Sequence, residues 1–134
     1  MKNGFSFEKN ERVASQKLID ELFTGGNSQS VAAFPLRAVY MKQQRQTGEP
    51  PAKLLVSVAK RRLHHAVDRN RAKRQLREAY RLNKHSLEGV LADNQQLVIA
   101  LIWLADGLQT TEVVASRVRS LLKRIGARLQ KEKS

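Results

Sequence analysis

Ten positively charged side chains lie between residues 60 and 84, against only two acidic ones. From residue 66 onward they recur at intervals of three and four, so a helix would align them in two adjoining rows. Guanidinium groups bind phosphates in bidentate fashion, and a polyanion would relieve the repulsion within each row. The candidate residues are Arg69, Asn70, Arg71, Lys73, Arg74 and Arg77, preceded by Lys60, Arg61 and Arg62. The segment predicts a phosphate-binding surface, and a merely solvated helix face is the alternative interpretation.

The composition of the chain supports the same partner class. It has 134 residues, with 25 Lys and Arg against 12 Asp and Glu, a net charge of +13 and a pI near 10.8. Such an excess predicts a polyanionic partner, most often a nucleic acid. The absence of cysteine excludes disulfides, thiolate zinc sites and cysteine nucleophiles. No apolar run has the roughly 20 residues of a membrane helix, so we expect a cytoplasmic protein without a membrane partner.

The three histidines offer a second kind of chemistry. His64 and His65 are candidates for an acid/base pair in a metal-free ribonuclease, and His85 lies near the end of the basic helix. Adjacent residues on a turn point apart, and no third partner is visible in the sequence. Phosphate contact or solvation is the competing interpretation of this pair.

Hydrophobic periodicity predicts six elements in one domain over residues 1–134, with 1–10 and 130–134 flexible. The predicted helices begin at 15, 66 and 110 or 111, the first ending near 24 and the second near 82, and the predicted strands are 31–43, 53–60 and 96–104. The first two strands suggest an antiparallel hairpin, and the third suggests a central strand buried on both faces. The order α-β-β-α-β-α predicts an α+β sandwich. If the last two strands are parallel, general experience favours a right-handed crossover between them.

The basic segment resembles a known family. Residues 66–78 read A-V-x-R-N-R-x-K-R-x-x-R-E, which is similar to the protein subunit of bacterial ribonuclease P. The likeness extends to an opening F-x-K-x-E-R-(apolar) at residues 7–13, to a first helix that ends in Leu22-Phe23 with Gly25-Gly26, and to the element order. The chain departs from many members at His64-His65, where they carry Gly-Asn, and in a link to the basic helix that is one residue longer.

The resemblance implies a ribosomal-protein-S5-domain-2-like fold with a left-handed βαβ crossover, against the general rule. It implies a protein subunit of an endoribonuclease that removes the 5′ leader of precursor tRNA, with the chemistry carried by the RNA subunit and Mg²⁺. No catalytic residue is then expected on the protein, which would be a monomer bound one to one to the catalytic RNA. The basic segment would contact that RNA. The alternative is a ribosomal or other structured-RNA-binding protein without a catalytic role.

A second surface also follows from the resemblance, a cleft between the first helix and one sheet face that holds the single-stranded leader. Its candidates are Phe7, Arg12, Phe34, Arg37, Tyr40 and Ser57, with Lys60 at its border. Phe34 and Tyr40 have the opposite strand parity from Arg37, so the three share one face only if a bulge intervenes. Core packing is the competing interpretation of Phe34, and Phe23 and Trp103 are interpreted as core.

Overall fold

A computed structural model describes residue 12 and residues 16–133 of the chain. The elements in order are α1 (Gln16–Thr24), β1 (Gln29–Ala33), β2 (Leu36–Gln44), β3 (Ala52–Ser57), α2 (Ala66–Asn83), a short 3₁₀ turn (Lys84–Leu87), β4 (Gln95–Trp103) and α3 (Thr111–Lys133). The architecture is α+β, with three helices on a mixed four-stranded sheet, as the sequence predicts. Among the described residues, no helix is both long enough and apolar enough to cross a membrane.

The strand order in the sheet is β1-β2-β4-β3. β4 pairs antiparallel with β2 and parallel with β3, so α2 is the crossover between two parallel neighbours. The predicted central strand is confirmed, because the apolar run of β4 is buried on both of its faces. The left-handed sense of the crossover remains a prediction from the resemblance.

Two predicted features of the strands are wrong. Residues 31–43 do not form one strand, because the chain turns at Phe34-Pro35 and returns as β2, antiparallel to β1. Proline has no N–H to donate to a sheet, so it belongs at such a break. The predicted hairpin between the strands at 31–43 and 53–60 is also wrong, since these segments supply β2 and β3, and β4 is inserted between the two.

The sheet is covered on both faces by separate apolar clusters. The larger cluster packs α2 and α3 against Leu36, Ala38 and Tyr40 of β2 and against the odd-numbered residues of β4. The smaller one packs Leu22 of α1 against the opposite face. Within the described residues, the short helix α1 therefore covers only part of its face and leaves space for a cleft beside it.

The last helix packs closely against the end of α2. A Cβ atom at Gly126 would lie 2.7 Å from the backbone oxygen of Ser86, so glycine permits this approach. Its apolar stripe is core, as the sequence predicts. The structure places residues 130–133 in α3, and the flexibility of this end stays a prediction. Residues 1–10 lie outside the described part of the chain.

Candidate RNA-binding surfaces

The basic helix α2 has one buried and one charged face. Its buried residues are Ala72, Leu76, Ala79 and Tyr80, spaced as one helical stripe against the core. On the opposite side Asn70, Arg71 and Arg74 are exposed, and Lys73 and Arg77 lie at the boundary, partly accessible. The helix bounds confirm the predicted 66–82 to within a residue. All six residues of this segment that were predicted to contact RNA therefore lie on α2. The packing of the buried stripe against the core determines which side of the helix faces outward.

Arg69 has a structural task as well as a charge. Its Nη1 atom donates to the backbone oxygens of Leu63, at 3.0 Å, and His64, at 2.9 Å. These bonds fasten the loop before α2 to the first turn of the helix. His65, the residue that precedes the helix, makes no side-chain capping bond. Arg69 therefore positions this loop relative to the helix and its neighbouring cations.

The loop before α2 brings three further predicted residues to the start of the basic helix. Lys60 and Arg61 are exposed. Arg62 is partly buried, and its Nη1 atom lies 2.8 Å from Oδ1 of Asp106 in an ion pair. That carboxylate already neutralises Arg62, so Lys60 and Arg61 are the better placed of the three for binding phosphate.

Positive charge also collects where α2 meets the edge of the sheet. Arg12 forms an isolated parallel bridge with Leu54 of the edge strand β3. Partial burial, and next the positive charge of Arg12, lower the pKa of Arg77 from its usual value. A phosphate beside Arg12 and Arg77 would offset this repulsion. The assignment of Arg12 to the leader cleft stays a prediction.

The cleft face of the sheet is partly covered by α1. Leu22 packs on Val39, Met41, Val98 and Ala100. One row at the carboxyl ends of β3 and β4 is less covered, and there the strand register aligns Arg37, Ile102 and Ser57. Arg37 is exposed, and the other two are partly accessible. The row offers a cation, an apolar floor and a hydroxyl to a strand that crosses the sheet.

The predicted cleft residues are only partly brought together. Arg37 and Ser57 share the cleft face, since their parity matches Val39 and Leu55 of the smaller cluster. Tyr40 does not belong with them: it is 2% exposed, packs in the larger cluster on the other face and donates its hydroxyl to Gln29 at 3.0 Å. The prediction for Tyr40 is corrected to a core position, because strand side chains alternate between faces. Phe7 lies outside the described residues.

Two aromatic side chains are more exposed than the sequence suggests. Phe34, in the turn between β1 and β2, is 72% exposed, which rules out core packing for it. Phe23 on α1 is 44% exposed, so its interpretation as core is wrong, whereas Trp103 is buried as predicted. An exposed ring is a platform on which an unpaired base can stack. The structure thus adds Phe23 to the candidates, on the helix that borders the cleft.

The structure supports neither a histidine nor a metal centre within residues 12 and 16–133. His64 and His65 are exposed and have no side-chain hydrogen bond to another described group that would orient an acid or base. No three His, Asp or Glu side chains in this part of the chain lie close enough to hold a metal ion.

Comparison with known proteins decides between the remaining hypotheses. A sequence model of the ribonuclease P family, described as "Ribonuclease P", matches residues 7–126. The chain belongs to the ribonuclease P protein family. A ribonuclease P protein component of Porphyromonas gingivalis is 38% identical over 122 residues, covering 90% of this chain and 87% of that protein. One of Chlorobaculum tepidum is 29% identical over 124 residues, covering 87% and 80%.

Solved structures agree with the fold. The ribonuclease P protein from Staphylococcus aureus superposes with a TM-score of 0.61 at 22% identity, covering 90% of this chain and 93% of that one. The protein from Thermotoga maritima gives 0.58 at 24% identity, covering 84% and 97%. This family supplies the protein component of a tRNA-processing endoribonuclease, and its members work with the ribonuclease P RNA. The alternative of a ribosomal protein is not favoured.

Proposed function

We propose that this chain binds the catalytic RNA of ribonuclease P through the exposed side of α2 and holds the 5′ leader of precursor tRNA in the cleft beside α1. The observation that carries the proposal is the division of α2 into a buried stripe and an opposite side with exposed Arg71 and Arg74. The fold does not need these two cations for its core. Their exposure leaves both guanidinium groups accessible to phosphates.

The work of the protein in this proposal is binding and orientation. The cations of α2 and of the loop at Lys60 and Arg61 hold the phosphate backbone of the RNA. The row of Arg37, Ile102 and Ser57 holds a single strand by charge and apolar contact. Because the two surfaces meet at the carboxyl end of β3, the protein would join substrate and catalyst at one border. Mg²⁺, which the family resemblance assigns to the RNA, supplies the charge stabilisation that RNA cleavage requires.

The proposed assembly is one protein molecule with one RNA, located in the cytoplasm. The net charge of +13 supports a polyanionic partner.

A leader-length series tests the proposed function. Holoenzyme affinity for precursor tRNA should increase as the leader lengthens, and Arg37→Gln should reduce that gain without weakening assembly with the catalytic RNA. Arg71→Ala should weaken assembly and should not change the gain in an assembled holoenzyme. Arg119→Gln, which removes an exposed cation from the helix on the other face of the sheet, is the matched control. Equal affinity for all leader lengths would refute the leader cleft.

A further inference from the structure

The net charge of the chain is confined to two segments. Residues 60–84 carry ten positive and two negative side chains, and α3 carries seven positive and two negative. The remaining residues hold eight of each sign and are neutral as a group. The proposed contacts with the catalytic RNA use only the first segment. The charge of α3 is therefore not explained by that surface.

Three arginines of α3 form an ordered row along the outer edge of β1. Arg117 donates from Nε to the backbone oxygen of Phe34 at 3.0 Å, and Arg128 donates from Nη1 to that of Ser30 at 3.2 Å. Between them, Arg124 donates to the backbone oxygen of Ala32. Ser30 and Ala32 are alternate residues of the edge strand β1, whose carbonyls point away from β2, and Phe34 follows in the turn. We name Arg117, Arg124 and Arg128 the β1-edge arginines.

The β1-edge arginines keep binding capacity for an anion. A guanidinium group has five N–H donors, and the carbonyl bond occupies one of them in each arginine. Arg117 also donates to Oγ of Ser116, and Arg128 donates to the hydroxyl of Tyr40 at 3.4 Å, so each group keeps further donors. Within residue 12 and residues 16–133, no carboxylate forms an ion pair with any of the three. The carbonyl bonds hold the groups in place, which lowers the entropy that binding would cost.

The strand register connects this edge to the leader cleft. The cleft row of Ser57, Ile102 and Arg37 continues across the sheet to Ala32, the partner of Arg37 on β1. Ala32 accepts the bond from Arg124, so the row ends at an arginine. Three strand spacings of about 4.8 Å place Ala32 roughly 14 Å from Ser57. The exposed ring of Phe34 lies two residues further along the same edge.

The coverage by α1 sets the direction of a bound strand. Because Leu22 covers Val39 and Ala100, a single strand in the accessible row must cross the β-strands rather than follow them. One end of that row meets α2, where the catalytic RNA is proposed to bind, so nucleotides near the cleavage point lie there. Nucleotides further from the cleavage point then reach β1.

From this geometry we propose that the leader site extends past the cleft onto the β1-edge arginines, which bind phosphates of its distal nucleotides, with Phe34 as a stacking platform for a base. The proposal rests on the leader cleft of the proposed function. In this proposal the arginines of α3 bind the substrate, whereas the cations of α2 bind the catalytic RNA.

The test uses the reconstituted holoenzyme and precursor tRNAs whose leaders grow one nucleotide at a time. The test variant is R124Q/R128Q, and the matched control is R119Q/K123Q, two exposed cations of the same helix that donate no bond to β1. Each phosphate contact with a single strand adds about 0.7 to the slope of log affinity against log salt concentration. Losing two contacts should therefore weaken the binding of long leaders about tenfold at ~0.15 M salt. Short leaders should bind both variants as they bind the unchanged protein.

A loss restricted to long leaders, absent from the control and largely restored in R124K/R128K, supports the extension. An equal loss for every leader length, or no loss, overturns it and leaves the cleft intact. If leader length has no effect on the unchanged holoenzyme, the cleft itself fails, which is a separate result. Thermal melting of each variant separates lost binding from lost folding, since R124K/R128K keeps donors for the β1 carbonyls.

Discussion

Replacing Arg71 and Arg74 together by alanine should weaken binding to ribonuclease P RNA without unfolding the protein. Both side chains are exposed, and neither forms an ion pair within the described residues. On a duplex, each phosphate contact adds about 0.9 to the slope of log affinity against log salt, so two contacts add about 1.8. At ~0.15 M salt this corresponds to roughly thirtyfold weaker binding. Removing like charges at the helix surface should change stability by no more than about 0.5 kcal/mol.

The assay is a titration of labelled ribonuclease P RNA at several salt concentrations, with thermal melting of each protein. The control is Arg81→Ala, because Arg81 already forms an ion pair with Glu78 on the same helix. That pairing also raises the pKa of Arg81, because its guanidinium group donates hydrogen bonds to the carboxylate of Glu78. An unchanged salt slope in R71A/R74A would refute phosphate recognition by this side of α2. Loss of the melting transition would show that these residues are structural.

Four further predictions follow from single residues. Arg69→Ala should lower the free energy of unfolding by about 1–3 kcal/mol, measured by urea denaturation, because it leaves two backbone oxygens without their donor; an unchanged midpoint would contradict the structural role. Tyr40→Phe should cost about 0.5–1.5 kcal/mol through the lost bonds to Gln29 and from Arg128 and should leave the affinity for short leaders unchanged, so reduced affinity for short leaders would return Tyr40 to the cleft. Leu22→Ala should lower the free energy of unfolding by about 2–5 kcal/mol, because it opens a cavity under α1. A much smaller decrease would show that α1 is weakly packed on the sheet. The hydrogen bond from the backbone of Gln46, and next that from Lys53, lower the pKa of Glu49 below 4.5. The ionised carboxylate therefore stabilises the fold above pH 4.5, and this stabilisation is lost as the pH falls through the lowered pKa. Glu49→Gln should remove that part of the pH dependence of the free energy of unfolding.

The basic helix could be predicted from sequence because several local signals agree there. The apolar stripe of Ala72, Leu76 and Ala79 has helical period, and the cations fall between its members. The core of α3 was predictable for the same reason. The arginine row of α3 also has a signature in the sequence, since Arg117, Arg124 and Arg128 recur at intervals of seven and four.

Strand pairing could not be predicted, because it depends on contacts between distant segments. The insertion of β4 between β2 and β3 leaves no local signature, and consecutive strands are neighbours in most sheets. Parity separated Tyr40 from Arg37 at the sequence level, but only the position of α1 shows which face is the cleft. Sequence patterns therefore determine which residues share a face, and the packing of the helices determines which face is accessible.

Leader release from precursor tRNA in the presence of ribonuclease P RNA tests the central claim most directly. The protein is added to a bacterial ribonuclease P RNA at low magnesium, with protein alone and RNA alone as controls. The account predicts cleavage only when both are present, reduced in R71A/R74A and unaffected by His64→Ala with His65→Ala. Cleavage by the protein alone, or no stimulation of a competent RNA, would contradict it.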